Sequence, residues 1–178
     1  MTVRFRILYV FVALEIGSRR LLHFNVTEHP TSEWTLQQVR EALPGDQDYK
    51  FLLHDRHKTF SASLNETVES WGIQVLRSPI RTPTANAHCE RLIGSIRREC
   101  LDYVIPLNES HLRRTLREWA GHYNAGRPHR SLGPGIPDQA QQVPAVFKQA
   151  AQLSSTSRVI TKPILRGLYH EYGWAEAA

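Results

Sequence analysis

The chain has 178 residues and a net charge of +5, and it is long enough for one domain that buries a sizeable core without disulfide bonds. Hydrophobic residues make up 41% and charged residues 22% of it, which excludes a disordered polymer and a fibrous repeat. Two cysteines, Cys89 and Cys100, form neither a disulfide framework nor a CxxC zinc motif, so a reducing cytoplasm is the expected compartment.

The first apolar run, residues 7–14, predicts a buried β-strand. It is too short for a membrane span, which needs roughly 20 residues, and it is followed by Glu15 and by no small-residue cleavage site of a secretory signal. A Gly-Ser turn comes next. Residues 19–27 then predict a second strand, which forms an antiparallel hairpin with the first.

Helices and strands alternate after this hairpin. The apolar spacing predicts helices over residues 32–43, 63–71, 86–101 and 109–124, with strands over residues 49–54 and 73–76. Thr31 or Ser32 can cap the first helix, and Ser61 or Ser63 can open the second. This order of elements is typical of an α/β fold in which helices cover a mixed sheet.

The composition changes at residue 133, where prolines and glutamines and then a Ser-Ser-Thr-Ser run replace the alternating elements. We therefore predict a core over residues 1–132 and an irregular, partly disordered C-terminal extension over residues 133–178. Residues 158–174 of this extension are apolar enough to dock on another surface.

The positive charge is confined to one stretch of the chain. Residues 77–130 hold ten arginines against five acidic residues, whereas the remainder holds twelve basic and twelve acidic residues. A local basic field suits a polyphosphate partner, because neutralised phosphates release their counterions. A solvated helix face would give the same count.

Two carboxylates stand at positions that suit catalysis. Asp55 directly follows an apolar strand, and ligands gather at the carboxyl ends of strands in open α/β sheets; a turn-forming aspartate is the alternative. Glu90 lies near the start of the long helix and shares a face with Arg97, although it could serve only the helix dipole. Paired carboxylates suit a hard divalent cation that acts on a phosphodiester.

Two motifs carry a family resemblance. Residues 81–102, RTPTANAHCERLIGSIRRECLD, resemble the last catalytic motif of the integrase cores of bacterial insertion-sequence transposases, which are DDE-type relatives of retroviral integrases with a ribonuclease H-like fold. Residues 123–133, YNAGRPHRSLG, resemble the family's Tyr-Asn-x-x-Arg-Pro-His-x-Ser-Leu signature. Asp55 lies where the family has its second aspartate, and the 34 residues between it and Glu90 match the family's spacing.

The resemblance implies a ribonuclease H-like mixed sheet flanked by helices and a role in DNA integration or transposition by metal-dependent cutting and joining of strands. It implies that Asp55 and Glu90 are catalytic and bind Mg²⁺ or Mn²⁺. It implies DNA contacts by a further set of residues: Asn86, Arg91, Arg97, Arg98, Arg127 and His129. The implied partners are DNA and either a second copy or a complementing transposase chain, in the bacterial cytoplasm and on the nucleoid, with no membrane and no small-molecule substrate.

One part of the family pattern has no counterpart in this sequence. The family's first aspartate lies on a central strand that precedes the strand at residues 7–14, and Met1 stands where that strand would end. We therefore expect an N-terminally truncated core with impaired catalysis and exposed strand edges. The alternatives are a non-catalytic DNA-binding or oligomerising module and a non-functional pseudogene product.

Overall fold

A computed structural model describes most of the chain. The described residues are 2, 6–43, 45, 49–79, 86–133, 135–139 and 157–176. Residues 80–85, which include Arg81 and the rest of the first five residues of the first motif, and residues 140–156 of the predicted extension lie outside them. The chain divides into two compact units, residues 1–16 with 21–113 and residues 17–20 with 114–178. The predicted boundary between residues 132 and 133 stays a prediction.

The first unit contains four strands in two separate sheets. Strands β1 (Tyr9–Leu14) and β2 (Leu21–Thr27) form an antiparallel hairpin, which confirms the prediction. Strands β3 (Phe51–His54) and β4 (Gln74–Arg77) pair in parallel. The antiparallel and the parallel pair agree with the predicted mixed α/β fold class, and they form separate two-stranded sheets, as expected for a mixed sheet without its central strand. We also predicted that the first strand is buried. Instead, β1 is only half-buried and Tyr9 is exposed, because β2 is its one hydrogen-bonded neighbour among the described strands.

Helices lie close to their predicted positions. They are α1 (Ser32–Ala42), α2 (Ala62–Ser70), α3 (Ala87–Glu99) and α4 (Glu109–Ala125), the last of which begins in the first unit and continues in the second. Thr31 and Ser61 are the caps, since their hydroxyls accept hydrogen bonds from Trp34 N at 3.1 Å and Leu64 N at 3.2 Å. No described helix is long and apolar enough to cross a membrane.

Both sheets of the first unit pack on the same helices. Val39 of α1 and two residues of α2, Leu64 and Val68, form a buried core. Phe11 of β1 and Leu52 of β3 pack against it. On α3, Leu92 and Ile96 are buried, and this helix contacts β1. Strands β1 and β3 therefore share one core, although no hydrogen bonds join them among the described residues.

Arg113, near the start of α4, forms hydrogen bonds to β2. Its Nε donates to the Asn25 side chain at 2.9 Å, its Nη2 donates to the Val26 carbonyl at 2.8 Å, and it pairs with Glu109 at 3.6 Å. Glu109 in turn accepts a hydrogen bond from the backbone of Glu28 at 2.6 Å. One of the ten arginines in the basic stretch is thus engaged in the fold rather than free for a partner.

The second unit pairs the remainder of α4 with a β-hairpin. Its strands β5 (Ser157–Ile164) and β6 (Tyr169–Glu176) are antiparallel and turn through Arg166 and Gly167, both at positive φ. We expected an irregular tail in this region. The two eight-residue strands form because their β-branched and aromatic residues favour extended backbone.

The hairpin is anchored on α4. Ile164 is buried, and the Glu171 carboxylate binds the ring of His122 at 2.9 Å. Tyr169 stacks on the same ring at 5.6 Å between centroids. Gly126 allows this approach, because a Cβ at that position would push the Glu171 carboxylate away from His122. The docking that the apolar residues 158–174 predicted is therefore made to α4.

Candidate functional site

Asp55 lies at the carboxyl end of β3, as predicted, with its side chain exposed to solvent. One carboxylate oxygen, Oδ1, accepts a hydrogen bond from the backbone of His57 at 2.9 Å. This contact is the one that a turn-forming aspartate makes. It uses one of several lone pairs of the carboxylate, so Asp55 keeps oxygen atoms that face solvent.

Glu90 lies in the first turn of α3 and is also exposed. Its backbone amide bonds to the carbonyl of Asn86 at 3.1 Å, which begins the helix there. Asn86 stands at the N-cap position, but its side chain makes no capping hydrogen bond. The carboxylate of Glu90 is therefore presented beside the partial positive charge of the helix N-terminus.

The negative charge of Asp55 affects the pKa of a residue in the first turn of α3, Cys89. Burial raises the pKa of the Cys89 thiol above its ordinary value, and the negative charge of Asp55 raises the pKa further. Such an effect requires Asp55 to be near Cys89, which adjoins Glu90 in the sequence. This electrostatic interaction links the end of β3 to the start of α3.

Neutralising Asp55 tests this proximity. In Asp55→Asn the pKa of the Cys89 thiol is expected to fall, because only burial then opposes the thiolate. The measurement is the pH dependence of Cys89 alkylation by iodoacetamide, read by mass spectrometry, with fully buried Cys100 as the internal control. Glu69→Gln, at an exposed site on α2, should leave the profile unchanged. An unaltered profile in Asp55→Asn would contradict the geometry.

A polar chain of buried His54, buried Asn65 and exposed Arg77 contacts the backbone of Asp55. His54 is 5% exposed and stacks on Phe60 at 4.4 Å between ring centroids. Its Nδ1 bonds to the carbonyl oxygen of Asp55. In the amide orientation that satisfies all neighbours, the Asn65 amide donates to His54 Nε2 at 3.0 Å and accepts from Arg77 Nη2 at 2.6 Å. Arg77, Asn65 and His54 therefore hold the backbone of Asp55 in place.

The sequence carries no local pattern that predicts this polar chain. Arg77 was counted as part of the basic stretch, and Asn65 gave no signal because it stands on a helix of otherwise ordinary composition. His54 adjoins Asp55 in the sequence, which was the one available indication. The contacts between these three residues join two strands and a helix, so no local pattern could reveal them.

The donor atoms of the site fit a hard divalent cation in chemical type, because exposed carboxylate oxygens are the ligands that Mg²⁺ and Mn²⁺ prefer. The two carboxylates are too few to hold such a metal by themselves. Within the described part of the chain, no group of three or more histidine, cysteine, aspartate or glutamate side chains is arranged to hold a metal. Asp55 and Glu90 are thus two candidate ligands of a site that needs further ligands.

The arginines of α3 are exposed. Arg91, Arg97 and Arg98 all face solvent, and the Arg97 side chain is 77% exposed. Arg97 lies 3.6 Å from the Asp102 carboxylate. Such an exposed ion pair contributes little to stability, so a phosphate could replace Asp102 at small cost.

Arg127 and His129 are held differently and belong to the second unit. Both are half-buried. Arg127 lies over the Tyr123 ring at 5.8 Å, and the His129 ring meets the same ring edge to face at 4.7 Å. Tyr123 of the signature therefore organises the Arg-Pro-His turn, and a DNA contact by these two residues stays a prediction.

Comparisons with known proteins bear on family and fold. Residues 71–137 match the family described as integrase core domain. A chain of the simian T-cell lymphotropic virus intasome, solved with PP2A regulatory subunit B56 gamma, aligns with a TM-score of 0.62 and 15% identity over 93% of this chain. This chain spans 60% of that one.

The catalytic core domain of BIV integrase aligns with a TM-score of 0.55 and 17% identity, over 73% of this chain and 82% of the core domain. No curated protein sequence matches the chain. The aligned structures share the α/β arrangement described above. Residues 71–137 thus match the integrase core domain family, and the chain has the fold of integrase catalytic cores.

Proposed function

We propose that the chain is the catalytic core of a bacterial transposase or integrase, which cuts and joins DNA strands with the help of Mg²⁺ or Mn²⁺. The observations that carry this proposal are the fold shared with integrase catalytic cores and the exposed carboxylates of Asp55 at the end of β3 and of Glu90 in the first turn of α3. The integrase core match supports it, because residues 71–137 contain Glu90 and the Tyr-Asn-x-x-Arg-Pro-His signature.

Each residue of the site has a role in this proposal. Asp55 and Glu90 bind the metal, and His54 positions Asp55. A bound divalent metal activates an attacking oxygen and stabilises the leaving oxygen of a phosphodiester. Exposed Arg97, with Arg91 and Arg98 beside it on α3, holds backbone phosphates. Asn86, Arg127 and His129 contribute further DNA contacts.

A third carboxylate completes the metal site in this proposal. We place it on a strand between β1 and β3, which carry no hydrogen bonds to one another among the described residues. The 178 residues alone are then expected to be strongly impaired, since removing one group from a site that acts as a unit costs most of its activity. A chain extended before Met1 by a strand that carries an aspartate should recover activity.

Joining of DNA ends to a target duplex tests this function. The 178-residue chain and the extended chain are compared in Mg²⁺, in Mn²⁺ and in EDTA, with joined products resolved on a gel. We expect metal-dependent products, and many more from the extended chain. Equal activity of both chains would refute the need for a third carboxylate. Absence of joining by either chain would refute the catalytic function.

A non-catalytic DNA-binding or oligomerising module is the second candidate. It is favoured by the exposed arginines of α3, Arg91, Arg97 and Arg98, which can bind phosphates without a metal. DNA would be the partner of either candidate, together with a second copy or a complementing transposase chain, in the cytoplasm and on the nucleoid. The module would bind DNA with unchanged affinity after Asp55→Asn and would join no strands in the extended form.

Arg97→Ala tests DNA binding by α3 under both candidates. Loss of one phosphate contact is expected to reduce the slope of log affinity against log salt by about one. The measurement is fluorescence anisotropy of a labelled duplex between low and moderate salt. Arg40→Ala, at an exposed position in the last turn of α1, should leave the slope unchanged. Equal slopes for Arg97→Ala and the unaltered chain would exclude this contact.

A further inference from the structure

Strands β1 and β3 have the composition of interior strands but the exposure of edge strands. All six residues of β1 and the first three of β3 are apolar, a run that is typical of strands covered on both faces. None of the residues of β1 is buried, and His54 is the one buried residue of β3. By contrast, β2 mixes apolar and polar residues and buries three of its seven. The described residues therefore leave part of the apolar surface of β1 and β3 uncovered.

The same two strands lack the side chains that protect an exposed edge. Edge strands of soluble proteins carry lysine, other charged residues or proline, which discourage pairing with another chain. Strand β5 has Arg158, Lys162 and Pro163, whereas β1 and β3 contain no proline and no lysine, arginine or acidic residue. An apolar edge without such protection is a template for a further strand.

Both strands border one gap on a common core. Each has a single hydrogen-bonded neighbour among the described strands, β2 for β1 and β4 for β3. Phe11 of β1 and Leu52 of β3 nevertheless pack against the same cluster of Val39, Leu64 and Val68. We call the space between these two strands the β1–β3 gap. One inserted strand can bond to both edges, whereas edge-to-edge pairing of two copies of the chain leaves one edge of each gap unpaired.

We propose that the β1–β3 gap binds one β-strand of a separate polypeptide, apolar and rich in β-branched residues. Main-chain hydrogen bonds to β1 and β3 provide the affinity, as in other cases of strand addition. Side chains of the added strand cover Tyr9 and Phe51, which are 43% and 58% exposed at the starts of β1 and β3. This binding needs neither metal nor nucleic acid.

The added strand also bears on the metal site, in a step that rests on the proposed function. A strand that runs parallel to β3 ends on the same side of the sheet as Asp55. An aspartate on this strand supplies the third carboxylate, so that two separate chains together form the metal site.

Anisotropy of a fluorescein-labelled peptide, measured with the full chain in EDTA, tests the proposal. The peptide has about eight residues, valine and threonine with a central aspartate and a lysine at each end. Methylation of its backbone nitrogens at alternate residues keeps the side chains but removes donors, and each lost hydrogen bond should weaken binding about 5-fold. A peptide with asparagine in place of aspartate should bind equally well, because no metal is present.

Hydrogen exchange read by mass spectrometry locates the bound peptide. The peptide should slow exchange in β1 and β3 and leave β5 and β6 unchanged. Phe51→Ala should weaken peptide binding about 2- to 5-fold. Tyr103→Ala is the matched control, since Tyr103 is 64% exposed and lies outside the strands.

The proposal is overturned if the peptide does not bind, if methylated and unmodified peptides bind equally, or if protection appears in β5 and β6 instead. A dimer of the chain in sedimentation that excludes the peptide would make a second copy the occupant and overturn it too. Joining of DNA ends in Mn²⁺ is a separate readout. A peptide that binds but restores no joining refutes its role in the metal site alone, whereas joining by the extended chain without peptide binding refutes strand addition and leaves the proposed function intact.

Discussion

Replacing Asp55 by asparagine is expected to lower the rate of metal-dependent DNA joining by about 100-fold or more. Loss of groups that only support a metal ligand costs about 10- to 100-fold, and loss of a ligand itself should cost at least as much. The amide keeps the size and the hydrogen bond to the His57 backbone, so the fold should persist. The measurement is the initial rate of joining by the extended chain in Mn²⁺.

Two further variants test whether the effect is specific to the metal site. Glu90→Gln should reduce the rate as strongly as Asp55→Asn, because both residues are assigned to the same metal. Glu69→Gln, also on an exposed helix face, should leave the rate unchanged. Joining that survives in Asp55→Asn at the unaltered rate would remove Asp55 from the site and favour the DNA-binding module.

Replacing Asn65 by alanine is expected to affect both stability and the metal site. The change leaves the buried ring nitrogen of His54 and the Arg77 guanidinium without their shared amide, and such a loss costs about 2 kcal/mol of unfolding free energy. Because His54 positions Asp55, the affinity for Mn²⁺ should also fall by about 10-fold or more. Urea denaturation and an electron paramagnetic resonance titration of Mn²⁺ measure the two effects.

A second variant separates positioning from general loss of structure. His54→Phe can keep the ring stacking on Phe60 but has no nitrogen for the Asp55 carbonyl, so it should reduce Mn²⁺ affinity as Asn65→Ala does. Glu66→Ala, one position along α2 and exposed, controls for the change in helix composition. Normal Mn²⁺ affinity in both Asn65→Ala and His54→Phe would make this polar chain purely structural.

Features that depend on neighbouring residues could be predicted from the sequence, whereas contacts between distant residues could not. Thr31 and Ser61 were identified as candidate caps, because a cap acts within four residues of itself. The anchoring of the hairpin on His122 joins residues 49 positions apart, and no local pattern reports such a contact. The alternation of β6 was present in the sequence as Tyr-His-Glu-Tyr-Gly-Trp, but the polar residues before it favoured an irregular tail.

The site was predictable to a similar extent. Asp55 and Glu90 were predicted from motif and spacing; they lie at the end of a strand and the start of a helix as expected, and their role in a metal site stays a prediction. The roles of arginines were harder to assign, because charge alone does not distinguish Arg97 in solvent from Arg113 among Asn25, Val26 and Glu109. Only packing separates an arginine that binds a partner from one that closes the fold.

Gly126 has a consequence for reading other sequences. It occupies one of the two positions that the Tyr-Asn-x-x-Arg-Pro-His signature leaves open, and a side chain there would displace Glu171 from His122. The residue at that position therefore indicates whether such a hairpin can pack on the helix. Among chains that share the signature, glycine there permits a C-terminal hairpin to seat a glutamate on the helix, so tail architecture can be sorted from an alignment before any further structure is determined.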